Sequence, residues 1–327
     1  MYGVKITGTG RYLPEKEVSN FDMEKMVDTT DEWIRSRSGI EKRRFVAEDQ
    51  ATSDMAFIAS KKALEKAGVR PEELDMIIVG TYTPDMPFPS VACMIQGRLG
   101  AKNAWAYDLQ AACSGFVFSL ITASQFIKAG SHKKILVVGG DTSSSILDFE
   151  DRTSCVLFGD GAGAVVIEPC EEGKGIIDYV AGADGTGAEY IEMPAGGSRN
   201  PASHETVEKR MHYFKMNGKE VFKFSTRALP AMIKEILERN SIAADQIKLL
   251  IPHQANIRII QSGAKKAGIP KENIFVNLDK YGNTVAGTIP IALDEALEQG
   301  RIKEGDLVLL SGFGGGLTWG TLLIRWQ

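Results

Sequence analysis

Three residues of the chain could together carry out covalent thiol chemistry: Cys113, His253 and Asn283. Cys113 lies in Ala111-Ala112-Cys113-Ser114-Gly115, after an apolar run and before apolar residues that recur at helical spacing. This order predicts a strand, a tight turn and a helix, with the sulfur at the helix N-terminus. The partial positive charge there should favour the nucleophilic thiolate. A free cysteine is more commonly a small buried residue, so this stretch alone leaves both interpretations open.

His253 follows an apolar run, residues 247–251, and ligands of open α/β sheets bind beyond the carboxyl ends of strands. A lone histidine is more often structural, and Asn283 after a glycine is also ordinary turn chemistry. Together with Cys113 they indicate either a papain-like thiol hydrolase or an acyl-transferring condensing enzyme. The sequence lacks the papain-like motif C-G-[SA]-C-[WY] around the cysteine, which favours the second class.

Short apolar runs alternate with amphipathic segments, which predicts an α/β fold. The predicted strands are residues 4–9, 76–80, 104–109, 135–140, 164–168, 247–251, 274–278 and 307–310. The predicted helices are residues 52–67, 90–99, 221–239 and 289–299.

The second half of this pattern repeats the first. Segment 274–278 corresponds to strand 104–109, the loop Tyr281-Gly282-Asn283-Thr284 stands where Cys113 stands, and Phe313-Gly314-Gly315-Gly316 matches Phe158-Gly159-Asp160-Gly161. We therefore expect two similar halves, residues 1–172 with the cysteine and residues 173–327 with the His and Asn loops. Equivalent loops of such halves would meet at one centre.

Composition limits the classes of function. The 327 residues are 43% hydrophobic and 24% charged, as in an ordinary globular protein. A formal net charge of −4 argues against nucleic-acid binding. No apolar run approaches the roughly 18 residues that span a bilayer, and the N-terminus shows no signal-peptide pattern. We expect a cytoplasmic protein with neither a nucleic-acid nor a membrane partner.

The four cysteines form no C-x-x-C pair, and no histidine lies at metal-ligand spacing from them. We therefore expect neither a metal site nor a disulfide. Cys93, Cys155 and Cys170 are interpreted as packing residues. The basic triplet Lys42-Arg43-Arg44 is interpreted as a solvated loop.

Six motifs give the chain a resemblance to the β-ketoacyl-[acyl carrier protein] synthase III family, and the resemblance runs from Val4 to Trp326. The motifs are Thr30-Asp31-Glu32-Trp33-Ile34, Ala112-Cys113-Ser114-Gly115, Phe158-Gly159-Asp160-Gly161-Ala162-Gly163-Ala164, Pro252-His253-Gln254-Ala255-Asn256, Tyr281-Gly282-Asn283-Thr284 and Phe313-Gly314-Gly315-Gly316-Leu317-Thr318-Trp319-Gly320. The resemblance implies the thiolase fold: a duplicated five-layer α/β/α/β/α architecture with two pseudo-equivalent mixed sheets.

The resemblance also implies the first condensation of type II fatty-acid synthesis. An acyl-CoA primer, acetyl-CoA or a short or branched acyl-CoA, would acylate Cys113. Malonyl-[acyl carrier protein] would then lose CO2 and give a 3-oxoacyl thioester on the carrier protein. CoA thioester is a substrate here, so no cofactor is expected, and the family implies a homodimer. A related secondary-metabolite ketosynthase and, from a different class, a papain-like thiol hydrolase remain the alternatives.

The family implies a role for each site residue. Cys113 is the nucleophile, and the side chains of His253 and Asn283 are two neutral donors to the thioester oxygen during decarboxylation. The backbone N–H groups of Cys113 and Gly315 form the oxyanion hole for acylation. Phe88 reaches across the dimer interface and shapes the acyl pocket.

The remaining implied contacts concern CoA and the carrier protein. The CoA-binding residues are Trp33, Arg37, Arg152, Gly218, Phe222 and Asn256, although Trp33 without the resemblance would be interpreted as a core residue. The carrier-protein contacts are Gln254, Ala255, Asn256, Ile257 and Arg258. Cations concentrated in residues 206–227 and 253–271 predict a basic rim for an acidic partner, although ordinary solvated helix faces would look the same. The segment Pro194–Asn217 is a longer polar insertion whose contacts the resemblance does not define.

Overall fold

The computed structural model describes residues 2–327. Within them the strands are β1 (Gly3–Tyr12), β2 (Lys16–Ser19), β3 (Lys42–Phe45), β4 (Met76–Gly80), β5 (Trp105–Leu109), β6 (Ile135–Asp141), β7 (Gly161–Cys170), β8 (Gly175–Ala183), β9 (Ile191–Glu192), β10 (Lys215–Met216), β11 (Ile247–Pro252), β12 (Leu307–Gly314) and β13 (Thr318–Arg325). The α-helices are α1 (Asn20–Met23), α2 (Asp31–Ser38), α3 (Thr52–Ala67), α4 (Val91–Leu99), α5 (Gly115–Lys128), α6 (His204–Glu208), α7 (Gly218–Arg239), α8 (Ile257–Ala267), α9 (Leu278–Tyr281) and α10 (Thr288–Glu298).

Nine strands follow one another in the order β11-β12-β13-β8-β1-β7-β6-β4-β5. A single residue pair, Val4 with Gly175, joins β1 to β8 and divides the array into two mixed sheets. Counted along the chain, the first sheet has the order 3-2-4-5-1. The second has the order 2-4-5-1, and its third strand is reduced to one bridge between Leu250 and Ile274. The prediction of a full strand over residues 274–278 is therefore wrong, since α9 already begins at Leu278.

The two sheets enclose a layer made of α5 and α10. The central core contains Phe116 and Leu120 of α5, Ile289 and Leu293 of α10, and inward side chains of strands from both sheets. Alternate strand residues face outward, where α3 and α4 cover the first sheet and α7 and α8 cover the second. The layers are thus α/β/α/β/α, and the predicted duplicated fold class is confirmed.

Two local predictions are wrong. Residues 42–44 are not a solvated loop but belong to β3, and the side chain of Arg43 is fully buried. Its guanidinium donates to the carbonyl oxygens of Val18 and Val156 and to the side-chain oxygen of Asn20. Cys93 is exposed on α4 rather than packed in the core.

Candidate active site

One cavity of about 1010 Å³ is lined by Cys113, His253 and Asn283 together. Cys113 comes from the turn between β5 and α5, His253 from the loop between β11 and α8, and Asn283 from the loop after α9. The first residue belongs to one half of the chain and the other two to the other half. The fold therefore brings all three predicted side chains to one place.

Cys113 lies in the 3₁₀ turn Ala112–Ser114, directly before α5, so the predicted strand, turn and helix are observed. Ala112 has a φ of +44°, a left-handed conformation that a residue with a side chain adopts only at a cost of about 1–2 kcal/mol. The glycine run of β12 packs directly on this turn. A Cβ atom on Gly314 would lie 2.7 Å from Cβ of Cys113, so only glycine fits.

The electrostatics of Cys113 differ from the sequence-based expectation. Burial first, and then the nearby carboxylate of Asp141, together raise the pKa of the thiol to about 12. Desolvation of the thiolate therefore outweighs the helix terminus, and in the free enzyme the sulfur is a protonated thiol. Acylation must take place with removal of that proton.

We predict that alkylation of Cys113 by iodoacetamide accelerates about tenfold per pH unit from roughly pH 7 to pH 10, because the thiolate stays a minor species throughout. The rate is measured by mass spectrometry of the Cys113 peptide. The exposed Cys93 serves as the internal reference. A Cys113 rate that levels off near neutral pH would show instead that the helix terminus outweighs burial.

His253 follows β11 at the carboxyl end of the strand. Its backbone N–H donates to the carbonyl oxygen of Ser311 at 2.7 Å, and its ring meets the edge of Phe313 with centroids 5.4 Å apart. Burial lowers the pKa of the imidazole to about 3. The ring is therefore neutral at physiological pH. A neutral ring can donate a hydrogen bond without placing an unpaired charge inside the protein.

Asn283 is 6% exposed and is held by the first half of the chain. Its backbone N–H donates to the carbonyl oxygen of Leu157, and its own carbonyl accepts the N–H of Gly159. The side-chain oxygen accepts the N–H of Val285 at 2.8 Å. This bond fixes the orientation of the amide and leaves its NH₂ group available to the cavity.

The element that corresponds to the Cys113 turn lies slightly beyond Asn283. The 3₁₀ turn Val285–Gly287 leads into α10 as Ala112–Ser114 leads into α5, and Val285 has a φ of +52° as Ala112 has +44°. Ala286 is therefore the counterpart of Cys113, and Asn283 precedes it by three residues. The sequence pattern aligned the Tyr281–Thr284 loop with Cys113, whereas the structural counterpart of Cys113 lies three residues beyond Asn283.

Asp141 is a central residue that the motif analysis missed. Its buried carboxylate accepts hydrogen bonds from Thr81, Tyr82 and Thr83 of the first half and from the backbone N–H of Ala286 in the second. It therefore fixes the Cys113 side of the centre relative to the Asn283 side. The available signal was its position directly after the apolar run 135–140, at the carboxyl end of β6.

The wall of the cavity contains most of the residues predicted to bind CoA. Trp33, Arg37, Gly218, Phe222 and Asn256 all line the cavity. Arg152 does not, but its guanidinium carbon lies 5.4 Å from the centre of the Trp33 ring. The half-buried indole and the exposed guanidinium are in direct cation–π contact, so the guanidinium must move off the indole before a flat base can stack between them.

The predicted carrier-protein contacts divide into buried and exposed residues. Gln254 is 1% exposed, and its amide donates to the carbonyl oxygens of Pro252 and Phe275, so its side chain faces the interior of the loop. Ala255, Asn256 and Ile257 are half-buried. Arg258 is exposed and lies over the Phe222 ring, 5.9 Å from its centre.

Carboxylates neutralise part of the predicted basic rim. Lys209 pairs with Glu205, Lys223 pairs with Glu220, and both Arg210 and Lys215 pair with Asp148. Among residues 2–327, the rim cations without a carboxylate partner are Lys219, Arg227, Arg258, Lys265, Lys266 and Lys271. These six residues, the free rim, lie on or next to the adjacent helices α7 and α8.

The Pro194–Asn217 insertion has a defined place. Ala195, Gly196 and Gly197 from its beginning and Phe214 and Met216 from its end line the cavity. Its β10 pairs with β9. The insertion is thus one wall of the site.

Phe88 does not line the cavity of its own chain. It is 83% exposed, whereas the neighbouring Met86 and Pro87 do line the cavity. Residues 2–327 contain neither a helix able to cross a membrane nor a cluster of three or more His, Cys, Asp or Glu side chains that could hold a metal.

Comparison with known proteins shows which family the chain resembles. Residues 107–185 match the family model "3-Oxoacyl-[acyl-carrier-protein (ACP)] synthase III", and residues 237–326 match the model of its C-terminal part. A β-ketoacyl-[acyl-carrier-protein] synthase III of Caldanaerobacter subterraneus is 54% identical over 98% of this chain and 97% of its own.

Solved structures of similar proteins support the same family. The 3-oxoacyl-[acyl-carrier-protein] synthase III of Aquifex aeolicus is 47% identical, with a TM-score of 0.91 over 99% of this chain and 100% of its own. The priming β-ketosynthase of the R1128 polyketide pathway is 34% identical, with a TM-score of 0.91 over 99% of this chain and 97% of its own. The chain therefore belongs to the β-ketoacyl-[acyl carrier protein] synthase III family and is, as the motifs predicted, a condensing acyltransferase.

Proposed function

We propose that the protein joins an acyl-CoA primer to malonyl-[acyl carrier protein], with release of CO2 and CoA, to give a 3-oxoacyl-[acyl carrier protein]. The observation that supports this most is the shared cavity, in which a thiol, a neutral imidazole and an oriented carboxamide meet. The proposed catalytic residues are Cys113, His253 and Asn283.

In the first half-reaction the sulfur of Cys113 attacks the thioester carbonyl of the primer. The bond between the acyl carbon and the CoA sulfur breaks. The proton of the Cys113 thiol is transferred within the cavity to that departing sulfur. The backbone N–H groups of Cys113 and Gly315 are the proposed donors to the oxyanion, and the close packing of the glycine run on the Cys113 turn supports this.

In the second half-reaction the malonyl group loses CO2, and the electron pair of the broken bond moves onto the thioester oxygen. The NH₂ group of Asn283 and an N–H of His253 stabilise this oxygen. Both donors are neutral, so neither leaves a buried charge before or after the step. The carbanion then attacks the acyl carbon, and the sulfur of Cys113 leaves as a thiolate that takes up a proton from solvent to restore the thiol.

For CoA, we propose that the adenine is held between Trp33 and Arg152, with Arg37 beside them. Gly218, Phe222 and Asn256 line the path from there toward Cys113. For the acidic carrier protein, the free rim is the proposed docking surface, with Arg258 at its centre because this residue lies over Phe222, which lines the cavity.

Charge reversal at Arg258 (Arg258→Glu) is expected to raise the KM for malonyl-[acyl carrier protein] about tenfold, because rim charges act mainly on encounter. The effect should shrink at high salt as the attraction is screened. The matched control is Lys234→Glu, which reverses an exposed cation of α7 outside the free rim. Equal effects of the two variants would remove Arg258 from this role.

We also propose a homodimer in the cytoplasm. β5 ends the sheet, and its outer edge has no partner strand within residues 2–327. Trp105 of β5 is 47% exposed and Phe88 is 83% exposed, so a second copy could pair with this edge and receive Phe88. All four cysteines are free, which supports a reducing compartment. Sedimentation at the mass of one chain would contradict the dimer.

The overall reaction is tested by supplying an acyl-CoA with malonyl-[acyl carrier protein] and identifying the product. We expect CO2 and a 3-oxoacyl-[acyl carrier protein]. The likeness to a priming β-ketosynthase keeps a secondary-metabolite ketosynthase as the second candidate. Replacing malonyl-[acyl carrier protein] with malonyl-CoA separates the two, and a panel from acetyl-CoA to branched five-carbon acyl-CoAs defines the primer.

A further inference from the structure

Thr288, the first residue of α10, makes a contact that the reaction outlined above does not yet use. Its hydroxyl oxygen lies 2.7 Å from Nδ1 of His253 and 2.9 Å from the carbonyl oxygen of Val285. Thr288 is 2% exposed and His253 is 1% exposed. The hydroxyl is thus the group that faces this side of the imidazole, in a place with little access to solvent.

A threonine hydroxyl has one hydrogen to donate and here has two possible acceptors. The carbonyl of Val285 already accepts the backbone N–H of Thr288, so it is satisfied without the hydroxyl. Nδ1 of His253 has no other hydrogen-bond partner within residues 2–327. A distance of 2.7 Å is compatible with either donor, so the assignment rests on which acceptor lacks another donor. The hydrogen therefore belongs between Thr288 and Nδ1.

We infer that Thr288 is a positioning residue whose hydroxyl donates to Nδ1 and so keeps the single ring proton of His253 on Nε2. Nε2 has no protein partner among the described residues, and the ring lines the cavity. The Nε2–H is then a donor available to the thioester oxygen. The inference rests on the proposed function, because it explains how a neutral histidine can be that donor.

Removal of the hydroxyl should change the tautomer rather than the fold. In Thr288→Val the side chain keeps its shape, but Nδ1 loses its donor. The ring proton is then no longer held on Nε2 and is expected to move to Nδ1. Nε2 then carries a lone pair in place of its hydrogen, and this lone pair repels the developing negative charge on the substrate.

The kinetic test separates the half-reactions in the full-length enzyme. Thr288→Val is expected to lower the release of CO2 from malonyl-[acyl carrier protein] about 100-fold, the typical loss for one oxyanion donor. Acylation by radiolabelled acetyl-CoA should be little changed. Thr288→Ser keeps the hydroxyl and should restore most of the decarboxylation. An equal loss in both half-reactions, or a serine variant as defective as the valine variant, would overturn the inference.

The spectroscopic test does not depend on turnover. The chain has only four histidines, so ¹⁵N-histidine labelling with His253→Gln for assignment identifies both ring nitrogens of His253. We expect a pyridine-type Nδ1 and a protonated Nε2 in the wild type, and the reverse in Thr288→Val. A protonated Nδ1 in the wild type would overturn the inference even if acyl transfer is found. Absence of acyl transfer with the expected tautomer would overturn the proposed function alone.

Discussion

Replacing Cys113 with alanine is expected to lower condensation by roughly 10⁴-fold or more, because the acyl group then has no sulfur to which it can transfer. The same variant should still release CO2 from malonyl-[acyl carrier protein], since His253 and Asn283 are held by other elements. Condensation is measured as 3-oxoacyl product, and decarboxylation as labelled CO2.

The matched control is Cys93→Ala, which removes an exposed thiol outside the cavity lining and should leave both half-reactions unchanged. Loss of decarboxylation in Cys113→Ala would mean that the sulfur also takes part in the second half-reaction. Condensation by that variant at a rate near that of the wild type would remove Cys113 from the nucleophile role.

Alanine at His253 or at Asn283 is expected to lower condensation about 10²–10³-fold, the cost of one missing oxyanion donor. Acylation of Cys113 should be reduced much less, because its proposed oxyanion donors are backbone N–H groups.

Burial holds the pKa of His253 at about 3, so its protonation does not change above roughly pH 5. Decarboxylation should accordingly show no histidine titration between about pH 5 and pH 8.

Asn283→Asp provides a sharper comparison than alanine. The carboxylate keeps the oxygen that accepts the N–H of Val285 but lacks the NH₂ donor. We expect decarboxylation to be lost as fully as in Asn283→Ala. A variant that retains decarboxylation, or an alanine variant that loses acylation equally, would contradict the division of roles.

The local patterns predicted what depends on neighbours in the chain. Apolar runs gave the buried strands, and Gly68 at the end of α3 has the left-handed φ of +66° that a helix terminus favours. The order strand, turn, helix placed Cys113 correctly because each part is specified locally. Strand 274–278 failed because its residues pair through only one bridge in the fold.

Properties that depend on distant contacts were beyond the sequence. Arg43 lies in a basic triplet that is typical of a solvated loop. Its guanidinium nevertheless donates a hydrogen bond to a backbone carbonyl more than a hundred residues away in the chain. Gln254 lies within a functional motif, yet its amide holds the loop together from inside. The pKa of Cys113 needed the full depth of burial, which the helix-terminus argument does not contain.

The central claim is that the sulfur of residue 113 carries the acyl group between the two substrates. The most direct test is to incubate the enzyme with acetyl-CoA alone, without malonyl thioester, and to map the modified peptide by mass spectrometry. We predict one acetyl group, on the peptide that contains Cys113, which disappears when malonyl-[acyl carrier protein] is added. An acetyl group on any other peptide, or an unmodified enzyme that still turns over, would contradict the account.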